Sequence, residues 1–146
     1  IAGDGPQREE LERLAVELRV ADRVVFLGIV ERDELPLLYA SADAFVFPST
    51  SETQGIVQAE ALAAGSLVIA ADTETNRDVL GDAAWIVSAD RSAFARALRE
   101  MPPLPDAAAA ARARAAAQRF SAVAQVDRIL ELYASLLDGS NIRSVS

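Results

Sequence analysis

Two glutamates, Glu52 and Glu60, flank a change of pattern in the chain. Ahead of them the apolar run Ala44-Phe45-Val46-Phe47 stops at Pro48, and small polar residues continue to Gln54. Gly55 then opens a stretch at helical spacing that closes at Gly65. A helix start leaves N–H groups unpaired and carries a partial positive charge, which favours an anion by about 0.3–1 kcal/mol. Glycine puts no side chain in the way of a phosphate approaching the amides of Gly55, Ile56 and Val57. Glu60 lies about 7.5 Å further along the axis, at 1.5 Å per residue. That distance suits a ribose one unit beyond the phosphates, because a carboxylate can accept from two neighbouring hydroxyls. Glu52, on the loop side, can accept from the hydroxyls of a second sugar. The pattern suits a polyhydroxylated anion of the nucleotide-sugar kind. Spacing alone leaves two plainer accounts open: Glu52 as a capping acid pairing with loop amides, and Glu60 as an ordinary exposed helix glutamate.

The rest of the composition narrows the chemistry. The 146 residues contain no histidine and no cysteine. Disulfides, thiolate chemistry, Cys/His zinc sites and Ser-His-Asp triads are therefore excluded within them. Hydrophobic residues make up 51% and charged residues 25%, an ordinary globular balance. A net charge of −8 argues against nucleic acid, whose binders concentrate Lys and Arg on one face. Backbone amides can still bind a phosphate in an acidic domain. No apolar run approaches the roughly 18 residues of a membrane span.

The elements that must position the two glutamates alternate along the chain. Gly3-Asp4-Gly5-Pro6 reads as a turn, followed by a helix over 7–18 with Leu11, Leu14, Ala15 and Leu18 on one face. A dinucleotide fingerprint would need a third glycine where Arg8 stands, so a plain turn is the better reading. Val24 to Leu27 reads as a short buried strand ending at Gly28. The next helix covers 33–42, with Pro36 in its first turn. Ala44–Phe47 reads as the next strand, continuous in apolar character as expected of a parallel sheet covered on both faces, and Leu67–Ala70 and Ala84–Val87 read as two more.

Between these strands, the helix over 55–64 places Ile56, Ala59, Leu62 and Ala63 on its apolar face, with Gly65 as a left-handed cap. A short helix over 76–80 takes Thr75 as its cap. Ser92 to Met101 turns Phe94, Ala95 and Leu98 inward and ends at Pro102-Pro103. Asp106 can cap the alanine-rich run to Gln118, which has little to bury, and a last helix starts at Ser121. The expected organisation is one domain over 1–138, with a helical segment over 106–138 and a disordered tail over 139–146. Strand–helix alternation makes this an α/β fold with a Rossmann-like parallel sheet, which binds ligands beyond the carboxyl ends of its strands.

At this point the sequence resembles a known family. Glu52-x7-Glu60, preceded by Phe45-Val46-Phe47-Pro48-Ser49 and continued by Ala61-Leu62-Ala63-Ala64-Gly65, is similar to family 4 of the retaining GT-B glycosyltransferases. Ile1-Ala2-Gly3-Asp4-Gly5-Pro6, Val25-Phe26-Leu27-Gly28 and Leu35-x-x-Leu38-Tyr39-Ala40-Ser41-Ala42-Asp43 match in the same order. The resemblance implies the C-terminal, donor-binding half of a GT-B fold, with the start of its first strand and the acceptor domain lying upstream. It implies that Glu52 contacts hydroxyls of the donor sugar as the catalytic-site carboxylate and that Glu60 contacts the ribose. The amides of Gly55, Ile56 and Val57 would then meet the diphosphate with Gln54 nearby, and Gly28, Ile29 and Val30 would sit beside the base.

It further implies transfer of a hexose from a UDP- or GDP-sugar with retention, no metal, no cofactor and a cytoplasmic protein. Ser49-Thr50-Ser51-Glu52-Thr53-Gln54-Gly55 looks most like the diacylglycerol glucosyltransferase branch, which implies a lipid acceptor at the inner membrane face, with saccharides as the other option. Three departures stand out. The family's Arg and Lys that neutralise the leaving diphosphate precede the segment equivalent to Ile1. Ser66 replaces the usual proline after the helix glycine, and Glu74-Thr75-Asn76-Arg77-Asp78 replaces the usual Gly-Gly and Glu of the next loop. The isolated chain is therefore expected to be inactive. The alternative is a degenerate, non-catalytic relative kept for partner binding or scaffolding.

Overall fold

The structure, a computed structural model, describes residues 1–102 and 107–137. It divides into two compact units, Ile1–Leu38 and Tyr39–Ser146. Pro103 and Asp106, expected at the ends of two helices, and the expected tail over 139–146 lie outside the described residues.

The first unit holds helix α1, Arg8–Glu17, which buries Ala15, and a segment running from Val24 to Gly28 beside Ile1–Gly3. Ile1 carbonyl accepts from Leu27 N–H at 2.8 Å, and Gly3 N–H donates to Gly28 carbonyl at 2.7 Å. The expected buried strand over Val24–Leu27 is thus only a bridged segment, with Val25 66% and Leu27 47% exposed. Gly3 and Gly28 take φ of 109° and 67°, outside the extended region that a ladder needs. Helix α2, Leu35–Ser41, carries the chain into the second unit.

Three parallel strands form the centre of the second unit: β1, Phe45–Phe47; β2, Val68–Ala71; and β3, Trp85–Val87. Phe45 pairs with Val68 and Ile69 with Trp85. All four residues of β2 are fully buried, as a continuous apolar run should be when both faces are covered, whereas β1, read that way from its sequence, leaves Val46 exposed on one face. Because the strands are parallel, the loops after them lie at one edge of the sheet. Each launches a helix: α3, Ile56–Ala64; α4, Glu74–Leu80; and α5, Arg91–Glu100. Asp90 Oδ1 accepts from Ala93 N–H at 2.9 Å and caps α5.

Two helices depart from the sequence reading. Thr73, not Thr75, caps α4: its backbone is extended and its hydroxyl accepts from Asn76 N–H at 3.1 Å. The buried face of α3 is Gln58, Ala61 and Leu62, while Ile56 is 55% exposed. A glutamine can hold that inward place because Gln58 Nε2 donates to Asn76 Oδ1 at 2.8 Å, and Asn76 Nδ2 donates to Ala71 carbonyl at 2.7 Å.

Helix α6, Ala107–Ala117, packs on α3 and buries Ala113 and Ala117. The alanine run therefore has more to bury than expected, since small side chains let two helices approach closely enough for dispersion contacts. Arg119 follows and donates through Nη2 to the carbonyls of Asp78 and Val79, the latter at 2.5 Å. Helix α7, Ala122–Leu137, starts at Ser121 as expected but buries none of its side chains. Among the described residues no helix is long and apolar enough to cross a membrane.

Candidate functional site

The loop between β1 and α3 is organised by Glu52. Its Oε1 accepts from the N–H groups of Thr53 at 2.9 Å, Gln54 at 2.9 Å and Gly55 at 3.1 Å. Successive amides converge in this way because Gly55 sits at φ 68° and ψ 26°, turning the chain from the loop into the helix. Those bonds, from Gln54 first, then Gly55 and Thr53, hold the Glu52 carboxyl below its ordinary value of 4.5. At neutral pH it is an acceptor and not an acid. The capping account of Glu52 therefore holds for one of its oxygens. Among the described residues no donor meets Oε2, so a carboxylate fixed by one oxygen presents the other.

Gly55 is also closely confined. A Cβ there would stand 2.6 Å from Val79 Cγ2. Its carbonyl accepts the first intrahelical bond, from Ala59 N–H at 3.0 Å, so the amides of Ile56 and Val57 precede the helical ladder. Gln54 is exposed beside them and Val57 half-buried.

One turn further along α3, Glu60 is half-buried rather than an ordinary exposed helix residue. Its Oε2 faces Tyr39 Oη, which donates to it at 3.4 Å. Tyr39 is only 7% exposed; burial first, and then the charge and bonding of Glu60, push its phenol above the ordinary value of 10. Glu52, Gln54, Gly55, Ile56, Val57 and Glu60 thus share one strand–loop–helix turn. Gly28, Ile29 and Val30 belong to the first unit, where Gly28 turns the chain and Ile29 is exposed.

The arrangement offers the helix-start amides of Ile56 and Val57 and two carboxylates to accept hydroxyls; the Gly55 amide, expected beside a diphosphate, instead donates to Glu52 Oε1. Among the described residues no group of three or more acidic side chains converges as metal ligands would. A shallow apolar recess of about 390 Å³, lined by Val46, Pro48, Phe94 and Leu98 among others, includes neither Glu52 nor Glu60. Sequence reasoning missed the contact of Tyr39 with Glu60 and the Gln58–Asn76 pair. A lone glutamine among apolar helix positions was the available signal for the latter.

The family described as "Glycosyl transferases group 1" matches residues 1–120. The chain belongs to that family. Over 70 residues this group 1 chain is 46% identical to alpha-monoglucosyldiacylglycerol synthase of Streptococcus pneumoniae, covering 48% of the chain and 16% of the relative. Over 147 aligned positions it is 35% identical to D-inositol 3-phosphate glycosyltransferase of Thermomonospora curvata, covering 96% of the chain and 34% of the relative. The crystal structure of Anabaena Alr3699/HepE in complex with UDP superimposes with a TM-score of 0.76 at 26% identity, over 92% of this chain and 40% of that one. The same protein in complex with UDP-glucose gives a TM-score of 0.70 at 25% identity over the same 92% and 40%. The fold is the Rossmann-like half of a GT-B glycosyltransferase, and the chain spans less than half the length of these relatives.

Proposed function

We propose that this chain is the donor-binding part of a retaining glycosyltransferase that transfers a hexose from a nucleoside diphosphate sugar. The observation that carries the reading is the β1–α3 turn. Its loop is fixed by Glu52 Oε1, its helix start carries the amides of Ile56 and Val57, and half-buried Glu60 stands one turn on. The diphosphate meets the helix start, the ribose hydroxyls donate to Glu60, and hydroxyls of the hexose donate to Glu52 Oε2. Gln54 lies beside the diphosphate. UDP and UDP-glucose in the similar HepE structures support a nucleotide-sugar donor, with GDP-sugars as the other candidate.

The acceptor is a lipid or a saccharide. The likeness to a monoglucosyldiacylglycerol synthase supports a lipid and hence a cytoplasmic site at the inner membrane face. The cations that neutralise the leaving diphosphate come from outside these residues, as does the acceptor domain. Such electrostatic contributions often dominate a transfer reaction, so the isolated chain binds donor weakly and transfers almost nothing.

Calorimetric titration of UDP-, GDP- and ADP-sugars into the chain and into its Glu60→Ala variant tests the reading. Loss of the ribose contacts costs about 1–3 kcal/mol. Absence of binding at millimolar nucleotide, or equal binding by the variant, overturns it. Measurable transfer by the purified chain overturns the inactivity.

A further inference from the structure

We propose that Tyr39 is a positioning residue for Glu60, fixing one carboxylate oxygen so that the other is presented to the vicinal hydroxyls of a nucleoside. The inference rests on the assignment of Glu60 to the ribose made above. A glutamate side chain has three rotatable bonds, and a free carboxylate on a helix surface samples many orientations. Two neighbouring hydroxyls can donate to one carboxylate only when its plane is held toward them. The phenol of Tyr39 supplies that restraint. It comes from a different element, α2, and reaches Glu60 Oε2 at 3.4 Å across 21 residues of sequence.

Tyr39 itself is held at two points. Its carbonyl accepts from Ser66 Oγ at 2.5 Å, so the residue just beyond the C-cap of α3 anchors its backbone. Its ring meets Phe45 edge-on, with centroids 5.3 Å apart. The phenol is protonated at neutral pH in any case, and beside a carboxylate oxygen it can only donate. The anchor at Ser66, the ring of Phe45 in β1 and the carboxylate of Glu60 lie on successive elements around the sheet. Tyr39 therefore carries the geometry of the sheet core to a side chain at the site.

Substituting Tyr39→Phe removes the hydroxyl and keeps the ring on Phe45 and the Ser66 bond. The test compares binding of UDP and 2′,3′-dideoxy-UDP to the 146-residue chain and to its Tyr39→Phe and Glu60→Gln variants, alongside the denaturation midpoint of each. The expected result is a loss of about 3- to 10-fold for UDP in Tyr39→Phe, no change for the dideoxy nucleotide, and a midpoint close to that of the parent. Glu60→Gln reduces the preference for UDP further. If Glu60→Gln removes the preference while Tyr39→Phe weakens both nucleotides equally or neither, the positioning role fails and the ribose assignment stands. If neither variant changes the preference, the ribose assignment fails and takes this inference with it. Should Tyr39→Phe not fold, 3-fluorotyrosine incorporated in a Tyr133→Phe background leaves one, more acidic phenol at position 39. The preference for UDP then rises, and an unchanged preference overturns the proposal.

Discussion

A methyl group added at Gly55 would stand 2.6 Å and 2.9 Å from the two γ-carbons of Val79, in a backbone at φ 68°. Both penalties fall on one atom, yet they separate. The left-handed conformation costs a non-glycine residue about 1–2 kcal/mol, and the clash with Val79 adds to it. Gly55→Ala is expected to lower the urea midpoint, whereas Gly55→Ala combined with Val79→Ala costs less than the two changes added, because the clash is gone and the strain remains. Simple additivity would show that the side chain of Val79 does not confine the turn. Glu52 gives a pH-dependent prediction at the same scale. Its folded pKa is lowered, so the stability its amide bonds contribute is fully present above the ordinary value of 4.5 and is lost as pH falls through the folded value. Asp72 and Asp90 are lowered as well, by Arg77 and by Ser92 first, so wild type alone cannot isolate the loop. The informative quantity is the difference in midpoint between wild type and Glu52→Gln. That difference stays constant from pH 7 to about pH 5 and shrinks below; a flat difference down to pH 3 would mean the amides do not hold the ionised form.

The elements show which parts of this fold a sequence can reveal. The apolar continuity of β2 and the helix between Gly55 and Gly65 were legible, because both depend on neighbours in the chain. The inward face of α3 was not. Gln58 is buried only because Asn76, on another helix, accepts its amide, and that partner lies 18 residues away. The cap of α4 was misplaced by two residues for a related reason: Thr73 and Thr75 are chemically identical, and only the extended backbone at the end of the β2 loop selects the first. Val24–Leu27 had strand composition, but the positive-φ glycines at 3 and 28, where it meets Ala2 and Gly3, leave only isolated bridges. At the site, the two carboxylates and the glycine were legible from spacing and resemblance, while the donation from Tyr39 to Glu60 required knowing that two residues 21 apart in sequence meet. The Gln58–Asn76–Ala71 chain is accordingly expected to be sensitive. Asn76→Ala strips a partner from Gln58 Nε2 and from Ala71 carbonyl, each buried, and costs about 1–3 kcal/mol per group left unpaired. Thr73→Ala costs about 1 kcal/mol by comparison. Urea denaturation with an unchanged slope tests the ranking, and an Asn76→Ala cost no larger than that of Thr73→Ala would show the buried pair to be dispensable.

Across the second unit, stability is distributed unevenly. β2 is buried on both faces, α3 is covered by α6, and Arg114 Nη2 donates to Ala64 carbonyl at 3.3 Å beside Gly65, where a Cβ would stand 2.7 Å from the guanidinium. Arg119 ties the end of α4 to the same helical segment. Helix α3, which carries Glu60, is therefore held at its end by Arg114 and confined at its start, Gly55, by Val79 of α4, which suits a site that must hold its geometry before a ligand arrives. α7 stands at the other extreme. It has 16 residues and a periodic apolar stripe through Val126, Ile129, Leu130 and Tyr133, but none of its side chains is buried. Most of a helix's stability in a protein comes from packing its apolar face, and the described residues give α7 little of that. Its backbone hydrogen bonds should open by local fraying, while those of β2 open only when the whole unit unfolds. Hydrogen exchange of the 146-residue chain, followed by mass spectrometry, is expected to show residues 122–137 exchanging orders of magnitude faster than residues 68–71. The contrast should persist at two protein concentrations tenfold apart. Protection of α7 that rises with concentration would mean copies of the chain cover its apolar stripe, and protection equal to that of β2 at both concentrations would mean the stripe is packed within a single chain.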